Sequence, residues 1–313
     1  MSGVAASDVT RGDSRDRIGL AAPAKVNLHL EVLRKREDGY HEIETILQAV
    51  DLWDRLDVEL RESWRGRPPR VDLVVEPFAA APEGEDNLCC RAVHVFYRET
   101  GLSGRFRIVL RKEIPAGAGL GGGSSDAAAV LVACDRLAGT RLSAGELEAM
   151  GARIGSDVPF FIRGGTQLGR GRGTELRRLP PLRGCEFLIV MPDMTLQTST
   201  IYRQLNMGLT TRSPKVNIRH IEALIARFPR GSWFGGNRLE DVVLPGYPVL
   251  QRLIAELHEH ASIAMLSGSG AAVFAVFGDH GRLEQARREV ERPGWFVRAV
   301  TPHAAGVIVR DDV

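Results

Sequence analysis

Apolar and polar residues alternate along 18–33 (IGLAAPAKVNLHLEVL), which predicts a β-strand interrupted at Pro23. Residues 42–60 and Val71–Val75 carry further strand material, with a surface loop at 63–70, SWRGRPPR, between them. Over 87–99 the apolar spacing changes to three and four, the mark of an amphipathic helix. Alternation returns over 105–114. A glycine-rich stretch then leads into a predicted helix at 124–138. Ser143 and Glu146 form a capping box for another at 144–154. Residues 165–179 have the pattern of a polar hairpin.

A short apolar strand at 186–191 opens a second half. Helices are predicted near 217–228 and 248–260, then two strands around a glycine turn at 262–277, a helix at 281–291 and two closing strands. Strands and helices alternate irregularly, with several hairpins. That order predicts an α+β fold of two α/β sandwiches rather than a doubly wound parallel sheet. The expected division is a disordered polar tail at 1–17, a first domain at 18–180 and a second at 181–313.

Composition narrows the function classes. Apolar residues make up 44% and charged residues 26%, the balance of a soluble globular protein with a sizeable core. A net charge of +2 is too small to imply nucleic-acid binding. Only four of the 41 basic residues are lysines (Lys25, Lys35, Lys112 and Lys215), so each is worth locating. The four cysteines form no C-x-x-C pair, which predicts reduced, buried thiols and a cytoplasmic setting. The polar tail lacks an apolar signal core, and no run of about 18 apolar residues predicts a membrane span.

Chemistry concentrates at 115–129, PAGAGLGGGSSDAAA. Glycines allow close backbone approach and positive φ, and a following helix N-terminus offers unpaired N–H groups. Together they suit a polyphosphate, with the Ser124 and Ser125 hydroxyls placed for a phosphate oxygen or Mg²⁺. Gly117, Gly119 and Gly122 also spell G-x-G-x-x-G. About 115 residues precede it, however, where a dinucleotide fold would place it early. A Walker A loop would end in Gly-Lys-Ser/Thr, which this one lacks. A dinucleotide oxidoreductase and a nucleotide sensor without catalysis remain as alternatives.

The stretch closely resembles the phosphate loop of the GHMP kinases. PAKVNLHL and LSGSGAAVFAVF (266–277) resemble that superfamily's first and third motifs. DGYHEIETI (38–46) and GSDVPFFIRGG (155–165) are similar to its 4-diphosphocytidyl-2-C-methyl-D-erythritol kinases. The resemblance covers roughly 20–313 and implies an N-terminal domain like ribosomal protein S5 domain 2, a ferredoxin-like C-terminal domain and a site between them. The implied reaction uses ATP and Mg²⁺ to phosphorylate the 2-hydroxyl of the cytidine-diphosphate-linked alcohol. A mevalonate- or homoserine-type kinase is the alternative within the superfamily. Small-molecule substrates are the implied partners, with neither nucleic acid nor membrane.

By the same resemblance Asp157 accepts the substrate hydroxyl proton, and Lys25 pairs with it. Alternation independently puts Lys25, Asn27 and His29 on one strand face. The implied ATP loop comprises Pro115, Ala116, Gly117, Ala118, Gly119, Leu120, Gly121, Gly122, Gly123, Ser124 and Ser125, with Asn87 at the adenine end. Asn87 also suits an N-cap. Tyr40 and His41 are expected to meet the cytosine, helped by Thr198 and Tyr202, while Asn27 and the turn Ser267, Gly268, Ser269, Gly270 lie near the substrate. Metal ligands are not assigned.

Overall fold

The computed structural model describes residues 17–310 except 78, 79, 83, 206–222, 224, 226, 229–234 and 262. Lys215, Trp233 and most of the helix expected at 217–228 lie outside the described residues, as do positions 1–16 of the expected tail. Arg17, assigned to that tail, instead opens the first strand, and its guanidinium lies 3.2 Å from Asp57.

The first half is a twisted sheet with helices on one face. Strand β1 (Arg17–Lys35) pairs antiparallel with β2 (His41–Arg65) through the turn at Asp38-Gly39. The latter half of β2 pairs with β4 (Leu102–Arg111), and β4 runs parallel to β3 (Arg70–Glu76). The earlier half of β2 pairs with β5 (Thr166–Arg170), which pairs in turn with β6 (Glu175–Arg178). At 25 residues β2 outruns the expected strand and takes in the start of the loop expected at 63–70. Helices α1 (Leu88–Thr100), α2 (Gly122–Ala138), α3 (Ala144–Ile154) and α4 (Val158–Arg163) cover the sheet. Their core includes Phe96, Phe106, Phe160 and Phe161. The Ser143–Glu146 capping box is present.

The second half is a four-stranded antiparallel sheet of order β10-β7-β9-β8: β7 is Glu186–Met191, β8 Ile263–Leu266, β9 Val273–Phe277 and β10 Phe296–Val300. This 4-1-3-2 order is ferredoxin-like. Around it lie α5 (Thr198–Gln204), α6 (Glu240–Gly246), α7 (Pro248–His258) and α8 (His280–Val290). The last strand, β11 (Ile308–Arg310), crosses back to pair with β1 in the first sheet. No described helix is long and apolar enough to cross a membrane.

Strand β1 is shared by both cores. Leu20 and Ala22 pack in the first, whereas Ala24, Val26, Leu28 and Leu30 pack in the second, beyond a register shift at Pro23/Ala24. Both faces of the strand are therefore covered at Lys25. The four cysteines are free and buried, and burial pushes the Cys90 thiol up to about 11.

Glu240, in the first turn of α6, accepts the Leu266 backbone N–H at 2.7 Å. Burial pushes its carboxyl up to about 7 from a usual 4.5. Because the folded value exceeds the unfolded one, this group favours folding below pH 4.5 and loses that contribution as pH rises to about 7. Glu240→Gln should remove this group's share of the decline, so that the melting temperature falls less steeply between those pH values, as read by calorimetry; an unchanged slope would contradict it.

Candidate active site

Residues 112–121 leave β4 and pass across the middle of β1, at Lys25, before α2 begins. The helix starts at Gly122, two residues before its expected start, and Gly121, not a serine, occupies the N-cap with φ +75°. The loop is held by its carbonyls. The Ala118 carbonyl accepts Ala272 N–H, that of Leu120 accepts Lys25 N–H, and that of Gly121 accepts Ser125 N–H, at 2.9–3.0 Å. The Gly119 carbonyl accepts both Lys25 Nζ, at 2.7 Å, and Ser267 Oγ, at 2.9 Å. No backbone N–H from Ala116 to Ser124 donates to another described residue. Spent acceptors beside free donors make an anion cradle, reinforced by the positive end of α2.

A cleft of about 940 Å³ opens in front of this loop. Pro115, Ala116, Gly117, Ala118, Gly119, Gly121, Gly122, Gly123 and Ser124 line it. Leu120 and Ser125 do not. The Leu120 side chain points into the core, and the fully buried Ser125 hydroxyl faces inward without a described partner. Ser125 is therefore not placed as the phosphate-facing hydroxyl expected from its motif. Asn87 is likewise absent from the cleft wall. It caps α1, accepting Cys89 N–H at 2.9 Å and donating to the Pro82 carbonyl at 2.7 Å, so its N-cap reading is the one the geometry carries.

Lys25 reaches the floor of the cleft and is 3% exposed, far from an exposed strand lysine. Its Nζ lies 3.7 Å from Asp157 Oδ2 and donates to Asn27 Oδ1 at 2.5 Å. Asn27 donates to Thr45 Oγ1 at 2.9 Å, and Thr45 to the His29 carbonyl at 2.7 Å, so the lysine sits in a chain of fixed dipoles. Burial lowers the Lys25 pKa from its usual value, with Asp157 opposing. Asp157 follows α3, as expected, but it also occupies the N-cap position of α4, where a negative charge is favoured. Its side chain makes no cap bond and stays 39% exposed toward the cleft. His29 shares the Lys25 face but is turned toward Gly236, off the cleft wall.

The far end of the cleft is aromatic and basic. His41 and Tyr202 lie with ring centroids 5.1 Å apart. Arg172 covers one face of the Tyr40 ring at 4.4 Å, and Tyr40 is 52% exposed. Burial and then Lys35 lower the His41 pKa, which keeps the imidazole neutral at neutral pH. Burial, with Asp157 adding, raises the Tyr202 phenol. Thr198 Oγ1 meets Ser269 Oγ at 2.8 Å, closing the wall with Gly268. Ser267 and Gly270 support this turn from behind the wall. Arg172, Lys35 and Arg203 line this end without having been expected there. The rarity of lysine could have flagged Lys35. Nothing local marks Arg172, which the β5–β6 turn delivers from a distance.

Beneath the glycine loop Lys112 bridges two buried carboxylates, Asp54 and Asp126, the latter at 2.8 Å. Asp54 also accepts the backbone N–H groups of Glu113 and Ile114, at 2.6 and 2.9 Å, anchoring the loop's first residues to β2. Burial pulls the Lys112 ammonium down, but Asp126 and Asp54 outweigh it and hold it above its usual value. Burial pushes the Asp126 carboxyl up, with Lys112 opposing.

The GHMP kinases N terminal domain pattern matches residues 87–165, and the GHMP kinases C terminal pattern matches 220–294. The chain is 38% identical over 286 residues to the 4-diphosphocytidyl-2-C-methyl-D-erythritol kinase of Syntrophus aciditrophicus (strain SB), covering 90% of this chain and 98% of that one. It is 39% identical over 287 residues to the enzyme of the same name from Moorella thermoacetica (strain ATCC 39073 / JCM 9320), covering 88% and 95%. The chain belongs to the 4-diphosphocytidyl-2-C-methyl-D-erythritol kinase family. A crystal structure of a 4-(cytidine 5'-diphospho)-2C-methyl-D-erythritol kinase superposes with a TM-score of 0.72 at 31% identity, over 91% of this chain and all of that one. A homoserine kinase from Cytophaga hutchinsonii ATCC 33406 superposes at 0.74 but is 18% identical, over 96% and 99%, and so shares the fold alone. The fold is the two-domain α+β fold of GHMP kinases.

Gly119 tests the cradle. Its φ is +77°, and a Cβ there would lie 1.9 Å from the Ser267 carbonyl oxygen. Gly119→Ala should displace the loop and weaken ATP binding by at least about tenfold, about 1.4 kcal/mol. Gly123→Ala, whose Cβ meets only Leu88 at 3.8 Å, should leave the melting temperature unchanged. Calorimetric titration and melting of both variants check this; full ATP affinity in Gly119→Ala would refute it.

Proposed function

We propose that this chain transfers the γ-phosphoryl group of ATP to the 2-hydroxyl of 4-diphosphocytidyl-2-C-methyl-D-erythritol, a step in the non-mevalonate route to isoprenoid precursors. The observation that carries the reading is the Lys25–Asp157 pair at 3.7 Å, set between the free amides of the glycine loop and the Tyr40–His41–Tyr202 end of one cleft. A triphosphate on the loop would bring its terminal phosphorus to the pair. A cytidine base between the aromatics would bring its alcohol to the same place.

The acceptor hydroxyl approaches Asp157, whose carboxylate takes the proton as the oxygen bonds to the γ-phosphorus and the bond from that phosphorus to the β,γ-bridging oxygen breaks, releasing ADP. A carboxylate is a weak base, which suffices because the transition state is loose and positioning dominates. Lys25, held by Asn27 and Gly119, offers a fixed positive charge where charge shifts onto the transferring group. Neutral His41 can both donate and accept along a base edge. Lys35, Arg172 and Arg203 supply positive charge at the end where the substrate's diphosphate would lie.

No cluster of three or more acidic, His or Cys side chains among the described residues could cage a metal ion. Mg²⁺ usually arrives with phosphates and needs only one or two protein contacts, and the Ser124 hydroxyl and Asp157 fit that demand. Bound there, it would neutralise phosphate charge. The buried, unpaired thiols support a cytoplasmic setting.

Purified protein given ATP, Mg²⁺ and the cytidine-linked alcohol should release ADP in a coupled assay. Turnover on mevalonate or homoserine alone would reassign it. Asp157→Ala should cut kcat by at least about 10² while ATP affinity stays within a few-fold; wild-type turnover in this variant would place the base elsewhere. Tyr40→Leu should raise KM for the cytidine-linked alcohol by roughly 2–10-fold, the worth of one stacking contact, with KM for ATP unchanged.

A further inference from the structure

The turn between β8 and β9 is gripped from behind by a side chain that the mechanism above does not use. Asn237 is 5% exposed and lies off the cleft wall. Its Nδ2 donates to the Leu266 carbonyl at 2.9 Å and to the Gly268 carbonyl at 2.6 Å, while its Oδ1 accepts Leu239 N–H at 3.0 Å. Both amide donors are therefore committed to the turn. The backbone around Asn237 is fixed as well, because Leu30 of β1 donates to the Gly236 carbonyl and accepts Arg238 N–H, both at 2.8 Å. Glu240, three residues on, accepts Leu266 N–H at 2.7 Å, so the entry to α6 holds both backbone groups of Leu266.

That grip sets the direction of a peptide beside Lys25. Gly268 and Ser269 line the cleft, and a Cβ built on Gly268 would stand 3.3 Å from Lys25 Nζ and 3.4 Å from Asn27 Oδ1. Gly268 has a φ of +56°, where glycine is free to turn, so its own side chain does nothing to fix the peptide that follows. The carbonyl and N–H of a planar trans peptide point opposite ways. With the Gly268 carbonyl tied to Asn237 behind the wall, the Ser269 N–H of the same peptide is aimed toward the cleft. Neither it nor Gly268 N–H donates to another described residue. The Ser267 carbonyl accepts Gly270 N–H at 2.9 Å, so here, as in the glycine loop, acceptors are spent and donors are left over.

We propose that Asn237 is a positioning residue for phosphoryl transfer. By holding the Gly268 carbonyl it presents Ser269 N–H, beside Lys25, to the oxygens of the group in transit. That group's phosphorus leaves the bridging oxygen of ADP and bonds to the acceptor oxygen, whose proton goes to Asp157. Without the Asn237 amide the Gly268–Ser269 peptide is free to flip, and a carbonyl dipole would face the anion in place of an N–H. Asn237 itself touches no substrate. The proposal rests on the phosphoryl-transfer reading but not on which alcohol accepts the group.

Steady-state kinetics and melting temperatures of the full chain test it, with ATP, Mg²⁺ and either the cytidine-linked alcohol or water as acceptor. Asn237→Asp keeps the shape and the Leu239 bond but turns an oxygen toward the two carbonyls. It should lower kcat about 10–100-fold, with KM for ATP and for the alcohol within about threefold, because a mis-aimed donor is missed most in the transition state. Slow ATP hydrolysis without the alcohol should fall by a similar factor. Asn237→Ser still accepts Leu239 N–H but is too short to bridge both carbonyls; it should show the same split, and it replaces the aspartate variant if that one does not fold. Val243→Ala trims a fully buried side chain of the same helix and should lower the melting temperature while leaving kcat within about twofold. The proposal fails if the folded Asn237 variants keep wild-type kcat, if their loss lies in KM or melting temperature alone, or if Val243→Ala loses kcat equally. Wild-type protein that hydrolyses ATP but ignores the alcohol would sink the substrate assignment, with Asn237 then judged by hydrolysis; neither transfer nor hydrolysis would overturn both.

Discussion

A lysine ammonium buried inside a strand is the constraint around which the catalytic end of this molecule is arranged. Desolvating such a charge is expensive unless hydrogen bonds and an opposite charge compensate. Lys25 has Asn27 from its own strand, the Gly119 carbonyl from the glycine loop and Asp157 from the start of α4. Three separate parts of the chain must meet for that ammonium to be tolerated. Their meeting point is the spot where a terminal phosphate and a hydroxyl would have to react.

The same requirement orients the loop. The Gly119 carbonyl is drawn to Lys25 and Ser267, and its neighbours' carbonyls to β1, α2 and the strand turn after β8. With acceptors committed inward, the donors are left for the cleft. Lys112 and its two carboxylates play a foundation role beneath. Asp54 ties down the backbone at Glu113 and Ile114 before the glycines begin, which limits how far a flexible segment can wander.

Much of this was legible along the chain. Period-two and period-3.6 patterns located the main strands and helices to within a few residues, because each element had one face to bury. PAGAGLGGGSSDAAA announced a phosphate loop through glycines that nothing else would require. Legibility failed where a residue had two local uses. Asn87 could be a cap, a ligand contact or both, and its bonds to Cys89 and Pro82 show the cap. Ser124 and Ser125 are neighbours with the same hydroxyl, yet the turn of α2 sends one to the cleft and the other inward.

The sequence by itself determined the element types, the anion-binding loop and the residue kinds able to transfer a phosphoryl group, since these follow from local backbone preferences and side-chain chemistry. Tertiary structure alone decided that Lys25 is buried rather than exposed, that Arg172 covers Tyr40, and that β11 returns to β1. Each of these depends on chain segments far apart in sequence being brought together, and no local pattern encodes which distant neighbour a side chain will meet.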